Sequence, residues 1–120
     1  MPSETAGIFQ DVDPCLTVTA RLLPGDDRCA HVRLAGELDL STSRTLAQTL
    51  DWLISVAPTS VQVDLGELTF VGATLPNFVV GISHAMPAGA ELVLRRARPM
   101  TEWVLRVTGM ADIATIRSQG

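Results

Sequence analysis

The sequence predicts an α/β domain with a mixed, mostly parallel β-sheet, an N-terminal antiparallel hairpin and helices packed mainly on one face. Two stretches near the start alternate apolar and polar residues, the period of a half-buried strand. Beyond them, segments with helical apolar spacing alternate with short apolar strands. The 120 residues, 47% of them hydrophobic, suffice for one core. We therefore expect one domain over residues 15–120 and an N-terminal extension over 1–14, whose degree of order stays open.

The hairpin is predicted from residues 15–23 and 28–36. The turn signal Pro-Gly-Asp-Asp at 24–27 separates the two stretches. A turn centred there places Leu22 opposite Ala30. The residues expected on the buried face are Leu16, Val18, Ala20 and Leu22 in the first strand, and Ala30, Val32 and Leu34 in the second.

Three helices are predicted from apolar residues at helical spacing. The first begins after Ser41 or Thr42, either of which is a suitable N-cap, and ends before Pro58. The second has Pro76 in its first turn, and Pro99 opens the third. The residues expected to face the core are Leu46, Leu50, Leu53 and Ile54; Leu75, Phe78, Val79, Ile82 and Met86; and Met100, Trp103, Val104 and Val107.

Short strands are expected at 61–65, 91–95 and 113–116, with a loop at 66–69. Strands separated by helices pair in parallel through right-handed crossovers. The two hairpin strands alternate and so have one wetter face, which favours helices on one side of the sheet over helices on both.

The two tryptophans are expected to differ in burial. Trp103 lies on the inner stripe of the third helix and is expected in the core. Trp52 lies off the centre line of the first helix, and a partly exposed aromatic there is one interpretation, because such residues often anchor partner contacts.

Charge and composition exclude several classes of function. The formal net charge is −4, and the cationic residues are scattered apart from Arg95, Arg96 and Arg98. Binding to nucleic acid or to an anionic membrane needs cations aligned on one face, so neither partner is expected. No apolar stretch approaches the roughly 18 residues of a transmembrane helix. Residues 1–14 lack the basic start and apolar middle of a signal peptide, so a cytoplasmic location is expected.

The motifs of catalysis and of metal binding are missing from the sequence. It contains no Gly-x-Ser-x-Gly elbow and no glycine-rich phosphate loop. His31 and His84 have no cysteine or acidic neighbour at metal-ligand spacing. We expect no enzyme activity, no catalytic residue, no metal and no cofactor.

Three segments resemble those of the STAS domain family, which includes bacterial anti-sigma factor antagonists. The segment Gly-Glu-Leu-Asp-Leu-Ser-Thr at 36–42 follows an alternating strand and resembles the family's Gly-Glu-Leu-Asp signature. Val-Asp-Leu at 63–65 and Leu-Thr-Phe-Val at 68–71 look like the next strand and loop. Leu-Arg-Val-Thr-Gly-Met at 105–110 looks like a late element of the family, and the resemblance spans about residues 15–116.

The resemblance implies a regulatory protein-binding domain. Its partner would be an anti-sigma factor, in some members a serine kinase, or another regulatory protein, and binding would influence sigma-factor-dependent transcription. A STAS-type scaffold subunit of a larger assembly or transport system is the alternative. A small-ligand binder is the remaining class. The oligomeric state stays open between a monomer and a weak dimer.

The sequence departs from the family at the turn where an antagonist is phosphorylated. The usual element reads Asp-Ser-Ser/Thr-Gly-Leu, whereas this chain has Gly72, Ala73 and Thr74 followed by Leu75 and Pro76. Ala73 takes the phosphoacceptor position and has no hydroxyl. Thr74 is the only hydroxyl in the turn, and it is either the helix N-cap or a substitute phosphoacceptor. The usual serine switch is therefore expected to be absent.

The partner-binding surface is expected in two loops. Asp39 is either a turn or cap residue or a partner contact, and Glu37 is either a solvated loop charge or a contact. The full set of expected partner-binding residues is Glu37, Asp39, Ser41, Thr42, Gly72, Ala73, Thr74 and Asn77.

Overall fold

The computed structural model describes residues 8–23 and 28–118 as a six-stranded mixed sheet with the strands in sequence order. The elements are β1 (Ile8–Asp13), β2 (Leu16–Leu22), β3 (Cys29–Leu38), α1 (Ser43–Val56), β4 (Ser60–Val71), α2 (Thr74–Ala85), β5 (Glu91–Ala97), α3 (Pro99–Val107) and β6 (Thr115–Ser118). Short 3-10 turns, Leu40–Thr42 and Met110–Asp112, precede α1 and β6. Because of the second turn, β6 begins at Thr115, whereas the sequence predicted a strand at 113–116.

The predicted hairpin is confirmed. β2 and β3 pair antiparallel, and Leu22 lies opposite Ala30, as the turn signal predicted. The turn itself, 24–27, lies outside the described residues. β3, β4, β5 and β6 pair in parallel. The mixed sheet and its helices match the predicted fold class.

One face of the sheet and the inner sides of the helices form a single apolar core. Alternation along the strands sends every second side chain to this face. The strands contribute Leu16, Val18, Ala20, Ala30, Val32, Leu34, Val61, Val63, Leu65, Leu92 and Leu94, and the helices contribute Leu46, Leu53, Leu75, Phe78, Val79, Ile82 and Leu105. The predicted inner face of α2 is confirmed, with Met86 partly buried at its end.

The N-terminal strand β1 was not predicted and changes the environment of α1. It lies within residues 1–14 and pairs antiparallel with β2. Phe9 projects from it against Trp52, with ring centroids 6.1 Å apart and planes at 34°. Trp52 is 8% exposed, so the interpretation of a partly exposed aromatic is wrong. Ile54, expected in the core, is 58% exposed.

β4 runs through residues 66–69, where the sequence predicted a loop. Pairing with β3 continues through Ala35–Glu67 and Gly36–Leu68. The register shifts twice along this stretch, at irregularities of the β-bulge type, and the pairing resumes after each shift. The Gly66 N–H donates a hydrogen bond of 2.9 Å to Asp64 Oδ1, and its carbonyl accepts one of 3.1 Å from Arg98 Nε. These bonds stabilise the irregular stretch that single-sequence patterning missed.

The face of α3 that packs against the core is opposite to the face that the sequence predicted. Thr101 and Leu105 are buried, whereas Met100, Trp103 and Val107 are 67%, 60% and 59% exposed. The expectation that Trp103 lies in the core is wrong. Positions 100, 103 and 107 share one side of a helix, so α3 presents an apolar stripe outward.

Candidate partner-binding site

The two loops predicted to bind a partner are brought together by the sheet. Leu38 and Val71 are the last paired residues of the parallel strands β3 and β4. The loop that starts at Asp39 and the turn that starts at Gly72 therefore leave the same sheet edge side by side.

Gly36 shapes the end of β3. Its φ of 123° is a conformation that residues with a side chain rarely adopt. A Cβ atom at this position would lie 2.1 Å from the Cys15 carbonyl oxygen. The next N–H, of Glu37, donates a hydrogen bond of 2.8 Å to that same oxygen. The glycine therefore permits the close approach of the chain at Cys15 to the end of β3. The next residue, Glu37, is exposed.

Asp39 organises the loop between β3 and α1. Its Oδ1 accepts hydrogen bonds from the Ser41 hydroxyl at 2.5 Å and the Ser41 N–H at 2.8 Å. The hydroxyl bond is the main reason that the pKa of Asp39 lies below its usual value. The Ser41 N–H bond and a backbone contact from Thr42 lower the pKa further. Asp39 is therefore a carboxylate that the loop holds in its ionised form.

Thr42 supports the loop from inside. It is fully buried, and its Oγ1 accepts a hydrogen bond of 3.1 Å from the Asp39 N–H. The hydroxyl also lies 3.0 Å from the Asp39 carbonyl and 3.2 Å from the Glu37 carbonyl. Thr42 occupies the N-cap position of α1 without forming a side-chain cap bond. Its hydroxyl is committed to the loop, whereas Ser41 is exposed.

The start of α2 lacks a side-chain cap. Ala73 occupies the N-cap position and is exposed, and Thr74 is the first helical residue and is half-buried. The predicted capping role of Thr74 is therefore wrong. The Leu75 N–H instead donates to the Gly72 carbonyl at 3.2 Å, and the Asn77 N–H donates to the Ala73 carbonyl at 3.4 Å. Ala73 has no hydroxyl, so Thr74 carries the only hydroxyl in this turn.

A groove of about 570 Å³ continues from this turn along α2 and α3. Its apolar lining includes Pro76, Val80, Trp103, Val104 and Val107, and Gly72, Ala73 and Asn77 form one end. The structure thus adds α3 to the predicted site. Sequence patterning assigned these α3 residues to the core because it took the most apolar side of the helix as the inner one.

The described residues provide little for other chemistry. Within 8–23 and 28–118, no three His, Cys, Asp or Glu side chains are grouped to hold a metal ion. No helix in the same ranges is long and apolar enough to span a membrane. What the site does offer is an apolar groove beside an ionised carboxylate, the composition of a protein-contact surface.

The fold is that of an α/β domain with a mixed sheet, and the family follows from comparison with known sequences. A family model described as Mlab, STAS domain matches residues 22–117. The chain therefore belongs to the STAS domain family, as the three segments suggested. Comparison with curated protein sequences finds no significant match.

Solved structures share the fold at low sequence identity. An anti-sigma factor antagonist from Mycobacterium paratuberculosis has a TM-score of 0.71 and 18% identity, covering 83% of this chain and 85% of its own. The antagonist SpoIIAA in its unphosphorylated form has a TM-score of 0.65 and 19% identity, with coverages of 81% and 86%. The Bacillus SpoIIAA in the phosphorylated form has a TM-score of 0.60 and 19% identity, covering 81% of this chain and 89% of its own.

Proposed function

We propose that this chain is a non-catalytic regulatory domain, an anti-sigma factor antagonist that binds an anti-sigma factor in the cytoplasm without the usual serine switch. The anti-sigma factor antagonists that share this fold support the first part. The observation that carries the second part is Ala73 at the N-cap of α2, beside an exposed apolar groove. Binding through this surface influences sigma-factor-dependent transcription by occupying the anti-sigma factor.

The groove supplies the main contact energy in this proposal. Trp103 is 60% exposed, and a tryptophan side chain buries about 150–250 Å² when covered. Covering the exposed part contributes about 3 kcal/mol at 25 cal/mol per Å². Met100 and Val107 extend the same stripe. An aromatic side chain surrounded by smaller apolar contacts is the usual composition of a binding hot spot.

The polar loop supplies orientation. Glu37, Asp39 and Ser41 lie at the edge beside Gly72, and the ionised carboxylate of Asp39 is suited to an arginine or lysine of the partner. Thr42 contributes through the shape of the loop, because its side chain is buried.

The absence of a hydroxyl at position 73 makes binding constitutive. A phosphoryl group there would add about −1.5 to −2 charges at the end of an apolar groove and next to the Asp39 loop. Ala73 removes that possibility, and Thr74 carries the only other hydroxyl in the turn at which a kinase could act. Incubation with the partner kinase and ATP, with Thr74→Val as the control, tests this point: we expect no label, and label on Thr74 overturns constitutive binding.

The test of partner identity is affinity capture from the native cytoplasm followed by a reporter assay. Wild-type, Asp39→Ala and Trp103→Ala baits are compared, with Arg44→Ala on the exposed part of α1 as the matched control. We expect the wild type and Arg44→Ala to recover an anti-sigma factor and to raise transcription from its sigma factor. Recovery that is equal with all four baits contradicts the proposed surface.

A scaffold subunit of a larger assembly or transport system is the second candidate. The same apolar stripe without a phosphoacceptor also fits a permanent subunit contact. Recovery of a stable complex that contains no sigma-regulating protein, and no reporter response, would favour this function over the first.

A further inference from the structure

The face of the sheet opposite the helices gathers cations that are scattered in the sequence. The register places Arg21, His31 and Gln62 on one line across β2, β3 and β4. The adjacent line on this face carries Arg33 and Arg95, with Asp64 between them. Neighbouring strands are about 4.8 Å apart, so long arginine side chains on these lines reach a common area.

Two carboxylates of this face are already engaged. Asp64 forms an ion pair of 3.0 Å with Arg96, and Glu67 lies 3.4 Å from Arg33 and 3.9 Å from Arg96. Among the residues that the structure describes, Arg95 donates only to Gln62 Oε1, at 3.2 Å, and Arg21 forms no ion pair. Within residues 8–23 and 28–118, Arg21 and Arg95 therefore carry positive charge near His31 without a carboxylate partner.

The titration of His31 is consistent with that excess charge. Its pKa lies below the usual value because of burial and then because of the nearby Arg95 and Arg21 guanidinium groups. Two cations that disfavour a third positive charge would favour a bound anion at the same place.

A groove of about 430 Å³ covers this area. Its charged and polar lining consists of Arg21, His31, Arg33, Gln62, Arg95 and Asp64, which is paired with Arg96, and Ile8 also lines it. Ile8 is 64% exposed and provides an apolar contact beside the cations. The volume is in the range of small-molecule sites. The uncompensated cations are concentrated at one place rather than along a stripe, which favours a compact anion over an extended acidic chain.

We propose that this open face is a second binding site, for the phosphate group of a small molecule, with Arg21 and Arg95 as the main ligands. Guanidinium groups donate two parallel hydrogen bonds to phosphate oxygens. Gln62 is a neutral donor and acceptor between them. The site lies on the other side of the sheet from the α2–α3 groove and is independent of the proposed function.

Titration of the full chain with inorganic phosphate, followed by NMR at constant ionic strength, tests the proposal. We expect saturable shifts centred on Arg21, His31 and Arg95, and a rise of the His31 pKa, because a bound anion stabilises imidazolium. Arg21→Gln and Arg95→Gln should each weaken phosphate binding at least tenfold. Arg44→Gln removes one charge elsewhere and should leave binding unchanged.

Two further arms separate the sources of the phosphate and the class of ligand. Tighter binding of phenyl phosphate than of inorganic phosphate indicates a phosphomonoester that also contacts Ile8, and equal binding indicates free phosphate. Shifts that do not saturate, or that are equal in the Arg21, Arg95 and Arg44 variants, overturn the site. Binding of a hexaglutamate peptide without binding of phosphate overturns it as well. Thermal unfolding of each variant verifies that it is folded.

Discussion

Trp52 on α1 and Trp103 on α3 occupy helices on the same side of the sheet but have opposite environments. Trp52 is 8% exposed because β1 brings Phe9 against it. Trp103 is 60% exposed because α3 buries Thr101 and Leu105 instead. The comparison teaches that one aromatic side chain is part of the core while the other stays exposed, where the proposed function needs a partner contact. The sequence pattern suggested the reverse.

The largest expected effect is on the buried member of the pair. Trp52→Ala should lower the free energy of unfolding by about 3–5 kcal/mol, because it leaves a cavity between α1 and β1. Trp103→Ala should change it by less than about 1 kcal/mol, since the side chain is mostly in solvent. Urea denaturation of the two variants measures both values. An equal loss of unfolding free energy in the two variants would contradict the contrast between the two tryptophans.

Phe9 tests whether β1 is what buries Trp52. Phe9→Ala should destabilise the chain by about 1–3 kcal/mol, because it removes a half-buried aromatic and its ring contact. It should also shift the fluorescence of Trp52 to longer wavelength, measured in a Trp103→Phe background. Gln10→Ala, an exposed neighbour on the same strand, is the control. An unchanged emission spectrum would show that Trp52 is covered by other residues.

A charge at position 73 should separate stability from binding. Ala73→Asp should raise the free energy of unfolding by about 0.3–1 kcal/mol, because the helix N-terminus favours an anion. The same change should weaken partner binding by placing charge at the end of the groove. Ala73→Asn is the uncharged control, and chemical denaturation and titration calorimetry measure the two effects. If Asp and Asn variants bind alike, charge at this turn is irrelevant to the partner.

The smallest effect concerns the loop at Asp39. Ser41→Ala should raise the pKa of Asp39 toward its usual value, because the hydroxyl bond is the main cause of the lowering. A carboxyl whose folded pKa is depressed stabilises the fold above its unfolded pKa of about 3.9, and that contribution is lost as pH falls through the folded value. Carbon-detected NMR titration measures the pKa. Glu102, whose pKa is lowered by Ser118 and then Arg106, should not move.

The sequence predicts the fold well because alternation and helical spacing act over whole elements. The β2–β3 register and the inner face of α2 depend on repeated local patterns, and both are confirmed. The misses are tertiary. Trp52 is covered by a strand whose own sequence has no strong signal, and residues 66–69 stay in β4 through irregular pairing with β3.

The candidate site was predictable only in its loops. The glycine-containing signature and the turn at Ala73 have fixed positions relative to strand ends, so their juxtaposition follows from parallel pairing. The contribution of α3 was not predictable from periodicity, because an apolar stripe on a helix is the same signal whether it faces a core or a partner. The cationic group on the sheet face opposite the helices was not predictable either. Its residues are distant in sequence, and only the strand register brings them together.

The most direct test of the central claim is the affinity of the captured partner for Trp103→Ala, measured by titration calorimetry beside the wild type. If the α2–α3 groove is the partner surface, the variant should bind at least about 30-fold more weakly, which corresponds to about 2 kcal/mol. Its unfolding free energy should stay within about 1 kcal/mol of the wild type. Wild-type affinity in the Trp103→Ala variant would contradict the account.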